Sequence, residues 1–259
     1  MNLNLTDKTA IVTGASRGIG LATVRALTDE GVHVIGAART ITPELKETGA
    51  RTVSADLTTA EGVSTVIDTA LAELGGIDLL VNNVGGGDEA TASFLDADDT
   101  QWQRMFDINM LATVRATRAA LPSLIERRGA IVNISSTLAR MPASAPATYS
   151  TAKAALTALG KALAEEFGPQ GVRVNTVSPG LVRTTVYSDP NGPVASMAAA
   201  AGQSLGDFVQ QIAASQNITT GRMSEAAEVA ALITFLLSPV AGNITGADYV
   251  IDGGTIKTV

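Results

Sequence analysis

Thr9-Ala10-Ile11-Val12-Thr13-Gly14-Ala15-Ser16-Arg17-Gly18-Ile19-Gly20 is the stretch whose reading decides the fold. Residues 9–12 read as a short apolar strand, and residues 19–30 carry the apolar spacing of a helix. The glycines between them permit positive φ and close backbone approach. A helix N-terminus presents free N–H groups and the positive end of the peptide dipole. Strand, glycine turn and helix in that order form a cradle for a pyrophosphate. The spacing is G-x-x-x-G-x-G rather than G-x-G-x-x-G. A tight turn without a ligand is the competing reading, and the strand–turn–helix context favours a nucleotide.

Outward from this turn, short apolar runs alternate with helical patterns. Strands are expected at 32–38, 51–55, 77–81, 130–134, 172–177 and 247–251, and helices at 60–74, 99–127, 148–167 and 225–237. Such alternation predicts an α/β fold, a single Rossmann-type doubly wound parallel sheet with helices on both faces. No linker or internal repeat divides the chain, so residues 1–259 read as one domain. The stretch at about 186–220 is irregular and rich in Ala, Ser, Gly and Gln. It reads as a substrate-loop insertion, built as a surface loop with one or two frayed helices.

Composition narrows the function. Apolar residues make up 46% and charged residues 17%, enough for a buried core and against disorder. The net charge of −7 leaves no basic surface for a nucleic-acid backbone. Cysteine is absent, which removes disulfides, thiolate nucleophiles and Cys-ligated metals. The single histidine, His33, lies in a strand and reads as a tolerated strand residue, so no metal site or Ser-His-Asp triad is expected. There is no signal-like N-terminus, and the longest apolar run, 226–237, is too short and charged to span a membrane. A cytoplasmic protein without membrane partners is the expectation.

The second strand ends Gly36-Ala37-Ala38-Arg39. An acidic residue there would bind ribose hydroxyls and repel a 2′-phosphate. Ala38 occupies that slot, and Arg39 and Arg17 offer two guanidiniums to one phosphate, which favours NADP(H) over NAD(H). Asp56 is placed to accept from an adenine amino group, or to begin the next helix. Tyr149 and Lys153 are four apart, hence on one helix face. A phenol titrates near ~10. A nearby ammonium and an oxidised nicotinamide would favour its phenolate. In reduction the same phenol gives a proton to a carbonyl oxygen. Ser135 and Ser136 end the preceding strand, and Asn109 lies in the long helix.

Thr13-Gly14-x-x-x-Gly18-x-Gly20, Asp56, Asn82-Asn83-Val84-Gly85, Asn109, Ser136, Tyr149-x-x-x-Lys153, Asn175, Pro179-Gly180 with Thr184, and Gly246 before Asp252-Gly253-Gly254 together resemble the short-chain dehydrogenase/reductase superfamily. The resemblance covers essentially the whole chain, in the compact one-domain branch. It is similar to bacterial 3-oxoacyl-thioester reductases and general carbonyl reductases. It departs from the family pattern in Val84, and in the added Gly86 and Gly87.

The resemblance implies a strand order 3-2-1-4-5-6-7 and a catalytic tetrad. In it Tyr149 is the acid/base, Lys153 binds the nicotinamide ribose and tunes the tyrosine, Ser136 orients the carbonyl, and Asn109 holds a relay water. Ser136 is chosen over Ser135 by its spacing to Tyr149. Cofactor contacts are implied for Gly14, Ser16, Arg17, Gly18, Ile19, Gly20, Arg39, Asp56, Leu57, Asn83, Gly85, Tyr149, Lys153, Pro179, Gly180, Val182 and Thr184. The reaction implied is hydride transfer between NADP(H) and a small-molecule carbonyl or secondary alcohol, a ketone or 3-oxoacyl thioester. Two alternatives stay open, an NAD-dependent alcohol dehydrogenase and a non-catalytic NADP(H) sensor. A homotetramer is implied, with the helices over 99–127 and 148–167 at an interface. Arg127, Arg128 and Arg173 read as helix C-terminal charges rather than a docking patch for an acidic carrier protein.

Overall fold

In β1 (Thr9–Thr13) every residue is buried, and side chains alternate between two separate cores. Ala10 and Val12 join one core, and Ile11 joins the other. The computed structural model that shows this describes residues 2–86, 93–142 and 146–258. The other strands are β2 (His33–Ala38), β3 (Arg51–Ser54), β4 (Leu79–Asn82), β5 (Ala130–Ile134), β6 (Arg173–Pro179), β7 (Val182–Arg183), β8 (Ser224–Glu225) and β9 (Asp248–Ile251). Seven form a parallel sheet in the order β3-β2-β1-β4-β5-β6-β9. This is the expected order, with the seventh sheet strand ninth along the chain because β7 and β8 pair only with each other. The direction of strand addition reverses between β1 and β4, where a doubly wound sheet opens its ligand crevice.

Helices cover both faces. Val24 and Leu27 of α1 (Gly18–Asp29) and Val229 and Ile233 of α10 (Ala226–Leu237) close one core. On the other side pack Val63, Val66 and Ile67 of α3 (Ala60–Leu74), Leu124 of α5 (Ala112–Glu126) and Ala164 of α6 (Ala147–Phe167). A single turn, α2 (Pro43–Lys46), follows β2. The helix expected over 99–127 is interrupted: α4 (Asp99–Phe106) runs into a π turn over Asp107–Leu111, and α5 follows. The wide turn carries Asn109, which is buried. No helix among the described residues is long and apolar enough to cross a membrane.

The late insertion is more ordered than the sequence suggests. It forms α7 (Thr185–Ser188), α8 (Pro193–Ala200) and α9 (Leu205–Ser215), packed around Val194, Val209 and Met223. Its leading end is fixed by the β7–β8 pair and an Arg183–Glu225 ion pair at 3.0 Å. Its trailing end meets a strap beyond β9. The Lys257 ammonium donates to the Asn217 carbonyl (2.9 Å) and Thr219 Oγ1 (2.7 Å), and Thr220 N–H donates to the Gly253 carbonyl. The Asp252 carboxylate shapes the strap by accepting from Gly254 N–H and Ile256 N–H.

At the amino edge of the sheet, Asp78 joins three elements. Its carboxylate accepts from Lys8 Nζ, from Thr9 N–H and Oγ1, and from Arg127 Nη1. Arg173 donates to the Leu236, Leu237 and Ser238 carbonyls, closing the C-terminus of α10. Burial pushes the Asp78 carboxyl up, yet the Thr9 hydrogen bonds and Lys8 outweigh it and hold the group below its ordinary value. Its stabilising effect is therefore full above the usual carboxylate range and is lost as pH falls through the lowered folded value. Asp78→Ala is expected to lower the unfolding free energy by about 2 kcal/mol in urea. That gap should shrink from about pH 6 to about pH 3. A gap that stays constant over this range would contradict the account.

Candidate active site

The turn between β1 and α1 is knotted from below. Gly14 and Gly18 have φ of 65° and 57°, a left-handed backbone that side chains rarely adopt. A Cβ on Gly14 would lie 2.8 Å from Asn83 Nδ2, and one on Gly20 would collide with the Gly14 carbonyl. The Asn83 amide donates to the carbonyls of Thr13 (2.9 Å) and Gly14 (3.1 Å). Thr13 Oγ1 donates to the Val81 carbonyl and accepts from Asn83 N–H and Val84 N–H. Asn83 was expected to line a cofactor; its side chain is engaged in holding the turn. Arg17, at the N-cap of α1, gives no side-chain cap to the first helical N–H groups.

The other expected cofactor positions gather on the same rim, at the carboxyl ends of the strands. Arg39 follows β2, and Asp56 with buried Leu57 follows β3. Asp56 Oδ1 accepts from Thr58 N–H and Oγ1, and these bonds hold its carboxyl below the ordinary value, with Arg39 adding a smaller pull. Pro179 ends β6, and Gly180 N–H donates to the Ile251 carbonyl. A Cβ on Gly18 would lie 3.2 Å from the Thr184 methyl, so the 179–184 segment abuts the glycine turn. Among the described residues neither Arg17 nor Arg39 has an ion pair, and both are exposed. The crowded glycines and the two unpaired cations fit a dinucleotide phosphate.

The chemistry-bearing residues converge beyond this turn. Tyr149 and Lys153 share one face near the start of α6. Lys153 is 4% exposed, and its ammonium donates to the Ile134 carbonyl at 2.9 Å. The same nitrogen lies 5.8 Å from the centre of the Tyr149 ring. A Cβ on Gly85 would stand 3.1 Å from Lys153 Nζ and 2.9 Å from Asn109 Oδ1, so only glycine leaves both in place. The Asn109 amide clamps Gly86 in both directions, accepting from its N–H (3.1 Å) and donating to its carbonyl (2.8 Å). Gly87 lies outside the described residues.

The two serines separate. Ser135 Oγ is 3.1 Å from the Lys153 carbonyl and 2.7 Å from Thr157 Oγ1, so it serves α6. Ser136 Oγ accepts from Leu138 N–H and lies close enough to the Tyr149 phenol to draw its pKa down. Burial pushes the Tyr149 phenol above its ordinary value, Ser136 pulls it down, and Tyr187 pushes it up again. An ammonium and an oxidised nicotinamide favour phenolate, whereas burial favours the neutral phenol. Burial also lowers Lys153, to about 8. The arrangement offers a neutral phenol as proton donor, beside a cation that gives up its own proton near neutral pH.

Several residues lie elsewhere. His33 is exposed on β2, 3.7 Å from Asp7. Arg127 and Arg173 are occupied at the opposite edge of the sheet. Tyr187 on α7 was missed; its only sequence signal is an aromatic ring in an aromatic-poor insertion.

Comparison with known proteins agrees with this geometry. A family model described as enoyl-(acyl carrier protein) reductase matches residues 14–255. The chain is 32% identical to 3-oxoacyl-[acyl-carrier-protein] reductase of Vibrio harveyi, over 97% of this chain and 98% of that protein. It is 33% identical to 3-alpha-(or 20-beta)-hydroxysteroid dehydrogenase of Mycobacterium tuberculosis, over 99% and 92% respectively. The crystal structure of L-sorbose reductase from Gluconobacter frateurii, complexed with NADPH and L-sorbose, superposes with a TM-score of 0.92 at 32% identity, covering all of both chains. The knotted glycine turn, the Tyr149–Lys153 face and these matches together establish that the chain belongs to the short-chain dehydrogenase/reductase family of oxidoreductases.

Proposed function

We propose that the protein is an NADP(H)-dependent reductase of a ketone or related carbonyl, with Tyr149 as proton donor. The observation that carries the reading is the partly buried Tyr149 phenol with Ser136 beside it and the Lys153 ammonium 5.8 Å from its ring centre. The glycine turn and Thr184 would hold the diphosphate, and Arg17 and Arg39 a 2′-phosphate. When bound, the cofactor supplies the hydride. Ser136 and Tyr149 hold the carbonyl oxygen between two hydroxyls, and Tyr149 Oη passes its proton to that oxygen. Lys153 steadies the phenolate left behind and is poised to return a proton. Asn109 fixes the Gly85–Gly86 backbone against Lys153, and its place in the π turn supports the relay role. The relatives' names span oxoacyl, steroid and sugar substrates, so they support carbonyl reduction without choosing among those.

We also propose a homotetramer. Phe94 and Leu95 are exposed beside the edge-to-face Phe94–Trp102 pair, and Leu111 is exposed in the π turn. This apolar surface, on the 99–127 helices and the turn just before them, supports pairing with a second copy.

The direct test is oxidation of NADPH and NADH with a panel of ketones, diketones, quinones and a 3-oxoacyl thioester. NADPH consumption by the wild type, and its loss in Tyr149→Phe by about a hundredfold or more, is expected. Cofactor binding without turnover of any carbonyl would overturn the reading in favour of a sensor. Arg17→Ala and Arg39→Ala should each raise KM for NADPH about tenfold and leave NADH unaffected. Equal effects on both cofactors would argue against a 2′-phosphate contact.

The lowered Lys153 value yields a pH test with a definite sign. The folded chain loses this proton near pH 8 and the unfolded chain near 10.5. Between those values the unfolded state binds more protons, so this group makes stability rise with pH. The unfolding free energy of the wild type, relative to Lys153→Met, should rise over that window. Carbonyl reduction should fall over the same window as the ammonium is lost. A flat stability difference would mean that Lys153 is not buried as described.

A further inference from the structure

Tyr187 is the one aromatic hydroxyl that the insertion brings towards the reaction centre. Its helix, α7, follows the N-cap Thr184, whose methyl lies against Gly18 of the glycine turn. The Tyr187 N–H donates to the Thr184 carbonyl at 2.9 Å, and its ring packs against the Val194–Val209–Met223 core. The residue is half-buried, and its hydroxyl has no hydrogen-bond partner among the described residues. Tyr187 lies within electrostatic reach of Tyr149, since it raises the cost of charge on the Tyr149 oxygen. A phenol seated on that core, with an unpartnered hydroxyl, in the segment that abuts the glycine turn, is equipped to bind a second oxygen of the substrate.

The surrounding charge says what kind of oxygen. The insertion carries only Asp189 and Asp207 as charged residues. Asp189 accepts from Asn191 N–H, and Asp207 is bonded to Ser204 Oγ. The cations flanking the insertion and the site are spent on carboxylates: Arg140 on Asp248, Arg183 on Glu225 and Arg222 on Glu228. The Lys153 ammonium is buried on the Ile134 carbonyl. A substrate carboxylate or phosphate beside the carbonyl would meet none of these cations free among the described residues, whereas a hydroxyl would meet a matched donor and acceptor at Tyr187.

From this geometry we infer that Tyr187 is a specificity-determining residue that selects neutral hydroxyketones, binding a hydroxyl near the carbonyl that Tyr149 protonates. The inference rests on the carbonyl-reductase reading and adds the substrate class to it. Removing the phenol oxygen leaves the substrate hydroxyl unpaired, and a neutral hydrogen bond of this kind is worth up to about tenfold in kcat/KM.

The test compares hydroxyacetone, butanone and pyruvate, which differ in the group beside the carbonyl. Each is assayed for NADPH-dependent reduction, and for displacement of the fluorescence of protein-bound NADPH, with wild type and Tyr187→Phe. The wild type should favour hydroxyacetone over both others. Tyr187→Phe should lose about tenfold on hydroxyacetone, keep its butanone rate and bind NADPH unchanged. Equal losses on hydroxyacetone and butanone would mark a structural role and overturn the proposal, as would no loss on either or a preference for pyruvate. Hydroxyacetone binding that depends on Tyr187 without turnover would sustain the specificity role and sink the reductase reading. Neither binding nor turnover with hydroxyacetone would sink both.

Discussion

An ammonium out of water is the constraint around which the site is built. Among the described residues Lys153 exchanges hydration for the Ile134 carbonyl, and burial lowers its hold on its proton. Much of the neighbouring architecture serves to keep that cation in place. Position 85 lacks a Cβ because any side chain there would press on Lys153 and Asn109. Asn109 holds the adjacent Gly86 from both sides, and Ser135 and Thr157 engage the Lys153 carbonyl on the helix itself. The β4 loop, the π turn, the end of β5 and α6 therefore meet at a single nitrogen.

A second rigid joint lies at the glycine turn, and the two share a strand. Asn82 reaches across to Asn133 and Thr117 beneath the sheet rim, while Asn83 points the other way and binds the turn. Asn82, the last residue of β4, and Asn83 just beyond it thus tie the catalytic helices to one side and the nucleotide cradle to the other, as the two-residue alternation of an extended chain demands. The insertion stands apart from this frame. It has its own small apolar core and is attached at its two ends, so its contents can vary without disturbing the joints beneath.

Much of the fold was legible because parallel strands buried on both faces leave continuous apolar runs, and amphipathic helices leave a periodic face. The helix at 60–74 and the strand at 130–134 have the bounds expected of them, and the sheet order follows the family resemblance. The π turn was hidden, since one extra residue in a turn barely alters the apolar spacing around Asn109. The insertion was under-read because a run of alanines has no distinguishable face, so α8 gives no periodic signal. The candidate residues could be named from motif spacing, but not their partners. Ser135 and Ser136 are neighbours in sequence, and only the strand's alternation sends one to α6 and the other to Tyr149. The fate of the Asn83 amide was equally invisible, because it depends on two carbonyls some seventy residues earlier.

The position of β9 bears on how the chain acquires its site during synthesis. A nascent polypeptide ending near residue 240 would already contain the glycine turn and Asn109, Ser136, Tyr149 and Lys153. It would lack the strand that pairs with β6, the Ile251 carbonyl that receives Gly180 N–H, and the strap that grips residues 217–220. Asn175 would also wait, since its amide stitches β6 to residues 244 and 247. The trailing end of the insertion is therefore secured only by the last residues of the chain, after every residue of the glycine turn and of the Tyr149–Lys153 face has been made.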